Sequence, residues 1–164
     1  MDPPVEVRRA RVDDCDAIAR IYNEGIAERS STFETEPRGA TDIEAWLATA
    51  DRLPVLVADE KNEVSGWARI LAYSDRAAYA GVGEVSVYVD DAARGRGLGR
   101  ALLEAIEQRA RELEYWKLVG KLFTDNAASA ALVERCGWRT VGLHLRHGRL
   151  DGEWRDVRLV ERIL

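Results

Sequence analysis

The segment "VGEVSVYV" (82–89) alternates strictly. Val85, Val87 and Val89 fall on one side, and Glu84, Ser86 and Tyr88 on the other. A period of two with one apolar side predicts a half-buried strand. Past a glycine-rich turn the period changes. Leu98, Ala101, Leu102, Ala105, Ile106, Ala110 and Leu113 recur at spacings of three and four, forming one apolar stripe along a helix. The same two periods divide the rest of the chain. "VEVRRA" (5–10) reads as a strand. Asp13 is a candidate N-cap for a helix marked by Ile18, Ile21, Tyr22 and Ile26. "SSTFETEPRGA" (30–40) has no period and reads as a loop. Thr41 and Glu44 have capping-box spacing and start a short helix through Trp46 and Leu47. "LPVLVADE" (53–60) and "VSGWARILAY" (64–73) form a hairpin around "KNE". "WKLVGKLF" (116–123) is a strand and "DNAASAALVERC" (125–136) a helix that Gly137 stops. "WRTVGLHL" (138–145) and "EWRDVRLVERIL" (153–164) are strands, with "RHGRLDG" as the turn between them.

The expectation is one α/β domain over residues 1–164, an α+β arrangement of mostly strands. Helices follow the first and fourth strands and separate the fifth from the sixth. A chain of 164 residues suits one domain of ordinary size. Charge narrows the function. With 24 basic and 29 acidic residues the net charge is −5. Phosphate affinity comes largely from Lys and Arg, so a general nucleic-acid binder is disfavoured. Cys15 and Cys136 are far apart, and neither neighbours His144 or His147, so neither a metal site nor a disulfide framework is expected. No apolar run approaches the about 18 residues of a membrane helix. The start "MDPPVEVRRA" has no apolar signal core. The expected setting is the cytoplasm, away from membranes.

The stretch from Arg94 to Arg100 reads R-G-R-G-L-G-R, between a strand and a helix. Backbone N–H groups at a helix start lack intrahelical acceptors, and the helix dipole makes that end partly positive. Glycines let these amides converge on an anion, and arginines add charge and paired hydrogen bonds. Arg94, Gly95, Arg96, Gly97, Leu98, Gly99 and Arg100 therefore form a candidate pyrophosphate site. A P-loop would need Lys followed by Ser or Thr, which is missing. The dinucleotide fingerprint counted from Gly95 meets Arg100 where its last glycine belongs.

A third pattern, Arg/Gln-x-x-Gly-x-Gly/Ala, is the acetyl-coenzyme A turn of the GNAT N-acetyltransferases, and Arg94, Gly97 and Gly99 resemble it. "FTDNAASAALVERCGW" (123–138) is similar to the next motif of that family. The resemblance implies a central mixed, mostly antiparallel twisted sheet of about seven strands flanked by about four helices. It implies acetyl-CoA as co-substrate, held by Val87, Tyr88, Val89, the 94–100 turn, Asn126 and Ser129. Asn126 would bond the pantetheine arm; read by itself it is equally a plain N-cap. A backbone N–H within Val87–Val89, freed by a bulge, would hold the oxyanion. Many members carry a Tyr seven residues after the Asn as proton donor. Here that position is Val133, and the acid role does not transfer.

"IYNEGIAERSSTFETEP" (21–37), "YSDRAAYAGVGEVSVYV" (73–89) and "RHGRLDGEWRDVRLVERIL" (146–164) look like phosphinothricin N-acetyltransferases, with the similar arsinothricin and methionine sulfoximine enzymes. Those enzymes acylate the α-amine of small glutamate-like amino acids, and similar enzymes are commonly homodimers. An α-amine titrates near about 8 and is mostly protonated at neutral pH, so a base must act. Glu84, on the face opposite Val85, Val87 and Val89, is the candidate. Desolvation in a cleft can suit a carboxylate to that role. The resemblance places a His at His147, as proton relay or positioning group. His144 matches no motif and is read as structural. Arg76 offers a planar fork for the substrate carboxylate, and Phe33, Glu34 and Tyr79 would complete the acceptor pocket. Trp67 and Trp154 either wall that pocket or fill core. Three other readings remain: a peptide N-terminal acetyltransferase of the same fold, a non-catalytic acetyl-CoA sensor, and a nucleotide-binding regulator. The first would need an open groove, the second conflicts with Glu84 beside the turn, and the third lacks its phosphate motifs.

Overall fold

The computed structural model describes residues 5–164; residues 1–4 of the expected domain lie outside it. Its strands are β1 (Glu6–Arg9), β2 (Val55–Glu60), β3 (Glu63–Ala72), β4 (Val82–Val89), β5 (Lys117–Phe123), β6 (Arg139–Leu150) and β7 (Glu153–Ile163). The helices are α1 (Cys15–Glu28), α2 (Ala40–Leu47), α3 (Leu98–Glu112) and α4 (Ala127–Arg135). One seven-stranded sheet runs in the order β1-β2-β3-β4-β5-β7-β6. Every neighbouring pair is antiparallel except β4 and β5, which are parallel.

Strand alternation splits the core between two helical layers. On one face Val55, Val57 and Trp67 pack with Ile18, Ile21 and Ile43 of α1 and α2. On the other, Leu56, Ala58, Ala68 and Ile70 pack with Leu98, Leu102 and Ile106 of α3. Val85, Val87 and Val89 side with α3, and Tyr88 with α1, as the period of β4 predicts. Val133 of α4 and Trp138 belong to the α3 layer. There the Trp138 indole N–H donates to Glu107 Oε1 at 2.7 Å.

Local boundaries differ from the sequence-based expectation in three places. A single 3-10 turn, Val12–Asp14, precedes α1, so Asp14 rather than Asp13 takes the junction. Asp14 accepts from the Arg11 amide at 2.7 Å and from Arg8 Nη1 and Nη2 at 2.8 and 3.0 Å. Helix α2 starts one residue before Thr41, and its cap is the Gly39 amide donating to Asp42 Oδ2 at 2.8 Å. Thr41 and Glu44 do not form the expected box. Last, β6 continues through most of the expected "RHGRLDG" turn. The reversal narrows to Asp151 and Gly152, with φ of 50° and 81°, a pair suited to a two-residue hairpin turn.

Candidate active site

β4 and β5 are paired only at their beginnings. The parallel register is Val82 with Lys117, Gly83 with Leu118 and Glu84 with Val119. Both strands continue, β4 to Val89 and β5 to Phe123. Beyond Glu84 β5 instead follows β7, with which it stays paired to Phe123 and Val157. On its other edge β4 holds β3 without a register shift, from Ala72 with Gly83 to Gly66 with Val89. Amides of β4 directed toward β5 therefore lose strand partners. The expected bulge in Val87–Val89 is not there. Divergence of the neighbouring strand frees the amides instead, because β5 cannot follow β4 and β7 at once.

The gap holds a slot of about 100 Å³ lined by Val87, Tyr88, Asn126, Ser129 and Val133 among others. Asn126 caps α4: its Oδ1 accepts from the Ser129 amide at 3.1 Å. Its Nδ2 donates to Ser30 O at 3.3 Å, tying α4 to the loop after α1. The plain capping role is thus present, and one amide proton of Nδ2 is left for a ligand.

The glycine turn opens α3, whose Gly99 lies against Leu132 of the slot lining. Gly95 and Gly97 have φ of 78° and 82°, in the left-handed region, and a Cβ on either would meet nothing within 4 Å. That open space is room for a ligand against bare backbone. Gly97 caps α3, and the first amide with a helical acceptor is that of Ala101, donating to Gly97 O at 3.1 Å. The amides of Leu98, Gly99 and Arg100 precede it and point outward. The Leu98 side chain goes into the core. Gly99 serves packing: a Cβ there would sit 3.2 Å from Leu132, so its bareness allows α3 and α4 to approach. Each arginine holds a carboxylate, Arg94 on Glu28 at 2.7 Å, Arg96 on Glu60 at 2.9 Å and Arg100 on Glu104 at 2.7 Å. Exposed pairs of this kind contribute at most about 1 kcal/mol, so an incoming phosphate can displace them.

On the α1 side of the sheet lies a larger cavity of about 460 Å³. Phe33, Glu34, Glu84 and His147 all line it, from three separate parts of the chain. The two cavities share Ser31, Val85, Ser86, Tyr88, Lys121 and Leu122, so they meet where β4 and β5 part. Glu84 lines the larger cavity next to Val85 of the shared wall, and Lys121 Nζ, at the junction, lies 2.7 Å from its Oε1. It is an ion-paired carboxylate, not one isolated among apolar groups as the desolvation argument supposes. The Ser31 hydroxyl at the same junction is buried with no hydrogen-bond partner in the protein. Tyr88 stacks on Trp67 at 4.8 Å between ring centroids, and burial pushes its phenol up to about 12, so it stays protonated at neutral pH.

His147 reaches the cavity through an irregularity. The register of β6 on β7 shifts between His144 and Gly148, and Arg146 has φ of 49°. A bulge of this kind re-aims side chains. Gly148 then leaves bare backbone for the Phe33 ring; a Cβ there would be 2.7 Å from it. Phe33 also meets Phe123 edge-on at 4.8 Å, which closes that end of the cavity. His144 stacks on His147 at 4.3 Å.

Two acceptor candidates stand elsewhere. Arg76 and Tyr79 lie on the exposed turn around Ala77–Tyr79 and are not among the residues that line the cavity. Trp67 both fills core and walls the cavity, while Trp154 is half exposed beneath Arg149. Two further residues, Arg69 and Lys121, line the cavity although no sequence motif points to them. A signal exists for Arg69. Alternation in β3 places it on the same side as Trp67 and Leu71, a charge on a face otherwise apolar.

Known proteins share this arrangement. The family model for the acetyltransferase (GNAT) family matches residues 18–138. The L-methionine sulfoximine/L-methionine sulfone acetyltransferase of Pseudomonas aeruginosa is 34% identical over 158 residues, 94% of this chain and 92% of that protein. Among solved structures, a phosphinothricin acetyltransferase from Sinorhizobium meliloti in complex with acetyl-CoA superposes with a TM-score of 0.89 at 29% identity, over 98% of this chain and 88% of that one. A ribosomal-protein-alanine N-acetyltransferase from Brucella melitensis superposes with a TM-score of 0.93 at 30% identity, over 97% and 99%. The chain shares its fold with these proteins and belongs to the GNAT family as an acetyl-CoA-dependent N-acetyltransferase.

Proposed function

We propose that the enzyme acetylates the α-amine of a small glutamate-like amino acid, of the phosphinothricin, arsinothricin or methionine sulfoximine type, by direct attack with Glu84 as general base. The observation that carries this reading is the position of Glu84, in the larger cavity and ion-paired to Lys121 where that cavity meets the strand gap. Acetyl-CoA supplies the activated acyl group. The outward amides of the Arg94–Arg100 turn would hold its pyrophosphate, and the β4 edge, Asn126 and Ser129 its pantetheine arm; the open space over Gly95 and Gly97 and the unpartnered Ser31 hydroxyl fit such a ligand. Glu84 takes the proton of the bound ammonium. The amine nitrogen then attacks the thioester carbonyl, and a free amide of β4 in Val87–Val89 stabilises the charge on its oxygen. As the C–S bond breaks and the amide forms, coenzyme A departs as a thiolate and takes up the second proton that the nitrogen gives up. Val133 sits in the apolar core and supplies no proton to the departing sulfur. His147 positions the acceptor from its bulge. Phe33 and Glu34 shape the cavity. Arg76 and Tyr79, outside the lining, take no part in this proposal.

A thiol-release assay with acetyl-CoA across glutamate analogues tests it. Turnover with at least one such amino acid is expected, and turnover with none would overturn it. A second reading, acetylation of a peptide N-terminus, is favoured by the likeness to the Brucella melitensis protein. Against it stands Phe33, which packs on Gly148 and Phe123 and narrows that end of the cavity where a peptide would have to leave. Alanine-terminated peptides in the same assay separate the two. We also propose that the chain works in the cytoplasm as a homodimer. Among the described residues no helix is long and apolar enough to cross a membrane. The edge strand β6 exposes Val141, Leu143 and Leu145, a surface suited to a second copy. Sedimentation equilibrium would measure the mass.

A further inference from the structure

Within the acceptor cavity the cations are unequal. Arg38 donates to Glu34 Oε2 at 2.8 Å and to Glu36 O at 3.0 Å. Lys121 is paired with Glu84. Arg69 alone of the three has no carboxylate within ion-pair distance among the described residues. Its guanidinium carbon lies over the Trp46 ring at 3.6 Å. Burial pushes the guanidinium below its ordinary value, with Glu84 the compensating charge through space at neutral pH and Arg38 opposing. A desolvated guanidinium with no partner is a fixed demand for an anion.

Position states which anion. Arg69 stands opposite Ser86 on the β3–β4 ladder, and Leu71 opposite Glu84. Arg69 and Glu84 are therefore diagonal neighbours on one face, with backbones roughly 7–8 Å apart. An α-amino acid carries its carboxylate and amine on one carbon. Its head fits between them, with two oxygens on the guanidinium fork and the amine toward Glu84.

We propose that Arg69 is the carboxylate-binding residue of the acceptor site, and that the cavity, having no second unpaired arginine or lysine among the described residues, selects amino acids with an uncharged polar tail over those with an anionic one. The inference rests on the acetyl transfer proposed above and names its substrate class. Tyr22, Phe33, Trp46 and Phe123 around the remaining space suit a methylated, uncharged tail such as a sulfone. A tail phosphinate gains a cation only by displacing the Arg38–Glu34 or the Lys121–Glu84 pair, which costs up to about 1 kcal/mol, or roughly fivefold in affinity.

The test is equilibrium binding followed by tryptophan fluorescence, which needs no turnover and so can fail independently of the proposed reaction. The ligands are L-methionine sulfone, its decarboxylated amine and phosphinothricin, each with coenzyme A present. Arg69→Met keeps an unbranched side chain beside Trp46 and removes the fork. Losing a charge-assisted bond should weaken methionine sulfone about tenfold to a hundredfold. Affinity for the decarboxylated amine should change less than about twofold, since it has no carboxylate to lose. Arg69→Lys should recover part of the loss. The unmodified enzyme should bind methionine sulfone roughly two- to fivefold tighter than phosphinothricin. Equal losses for the acid and the amine, an unchanged acid, or tighter binding of phosphinothricin would overturn the proposal.

Discussion

Lys121 Nζ lies 2.7 Å from Glu84 Oε1, a bond across the gap between two strands whose backbone pairing has just ended. It holds the proposed base at the place where the acyl donor and the amine must meet.

Glu84→Gln keeps the shape of this junction and removes the proton acceptor. Turnover at neutral pH should fall by about 10²–10⁴-fold, with coenzyme A affinity unchanged. The deficit should shrink above about pH 8, where the amine is already free. Steady-state rates from pH 6 to 9 give the answer. Ordinary turnover at neutral pH would remove Glu84 from the mechanism.

Gly97 and Gly152 share a conformation, with φ of 82° and 81°, and a Cβ on either meets nothing within 4 Å. Gly152 lies in the β6–β7 hairpin turn, outside both cavities. Valine at either position brings comparable backbone strain, on the order of 1–2 kcal/mol. Only Gly97→Val should weaken coenzyme A binding, by at least about tenfold in calorimetric titration. Equal affinities in the two variants would place the pyrophosphate elsewhere.

Gly148→Ala would put a methyl group 2.7 Å from the Phe33 ring and push that ring from its seat. The KM for the amino-acid acceptor should rise several-fold and that for acetyl-CoA should stay level. A matched rise in both would indicate general loosening.

Asp14 supplies a pH dependence. Burial by itself would raise its carboxyl, but hydrogen bonds from Arg8 and the Arg11 amide outweigh it and hold the group below the ordinary 3.8. A depressed carboxyl contributes stability above its unfolded value and loses it as pH falls through the lower folded value. The melting temperature should therefore drop as pH is lowered through and below about 4. Asp14→Asn should be less stable at pH 7 by about 1–3 kcal/mol and show a flatter acid limb. Parallel curves for the two proteins would discount the Arg8 pair.

Glu107 is buried in α3 and accepts the Trp138 indole N–H. Glu107→Leu should cost about 1–3 kcal/mol in denaturant unfolding by leaving that N–H unpaired. Glu107→Gln, which keeps a carbonyl oxygen there, should cost less.

Periodicity locates all seven strands and four helices, because burial of one face of an element is written locally, every second or every third and fourth residue. The glycine turn is equally plain, since positive φ at Gly95 and Gly97 is a local demand that glycine meets best. Glu84, Phe33, Glu34 and His147 are legible through family motifs, and they converge on one cavity. Local cues run out at the caps. Asp13 looks as good a cap as Asp14, because nothing near them in sequence reveals that Arg8 needs the charge of Asp14. The capping box at Thr41 and Glu44 loses to Gly39 and Asp42, a competition between overlapping local patterns.

Local pattern is enough for the elements, the phosphate-type turn and the carboxylate on the polar face of β4. Where the strand gap opens, and which arginine lines the cavity beside it, are settled by long-range pairing. Strand β5 has one edge for β7 and one for β4 and satisfies both only as far as Val119. That choice is made between residues about forty positions apart, and no local period records it. The same holds for Arg69 and Arg76. Both are arginines near the same strand end, and what separates them is that one lies over Trp46 inside the sheet's face while the other sits on an exposed turn. A guanidinium deprived of water has to find an anion, and one left in water does not.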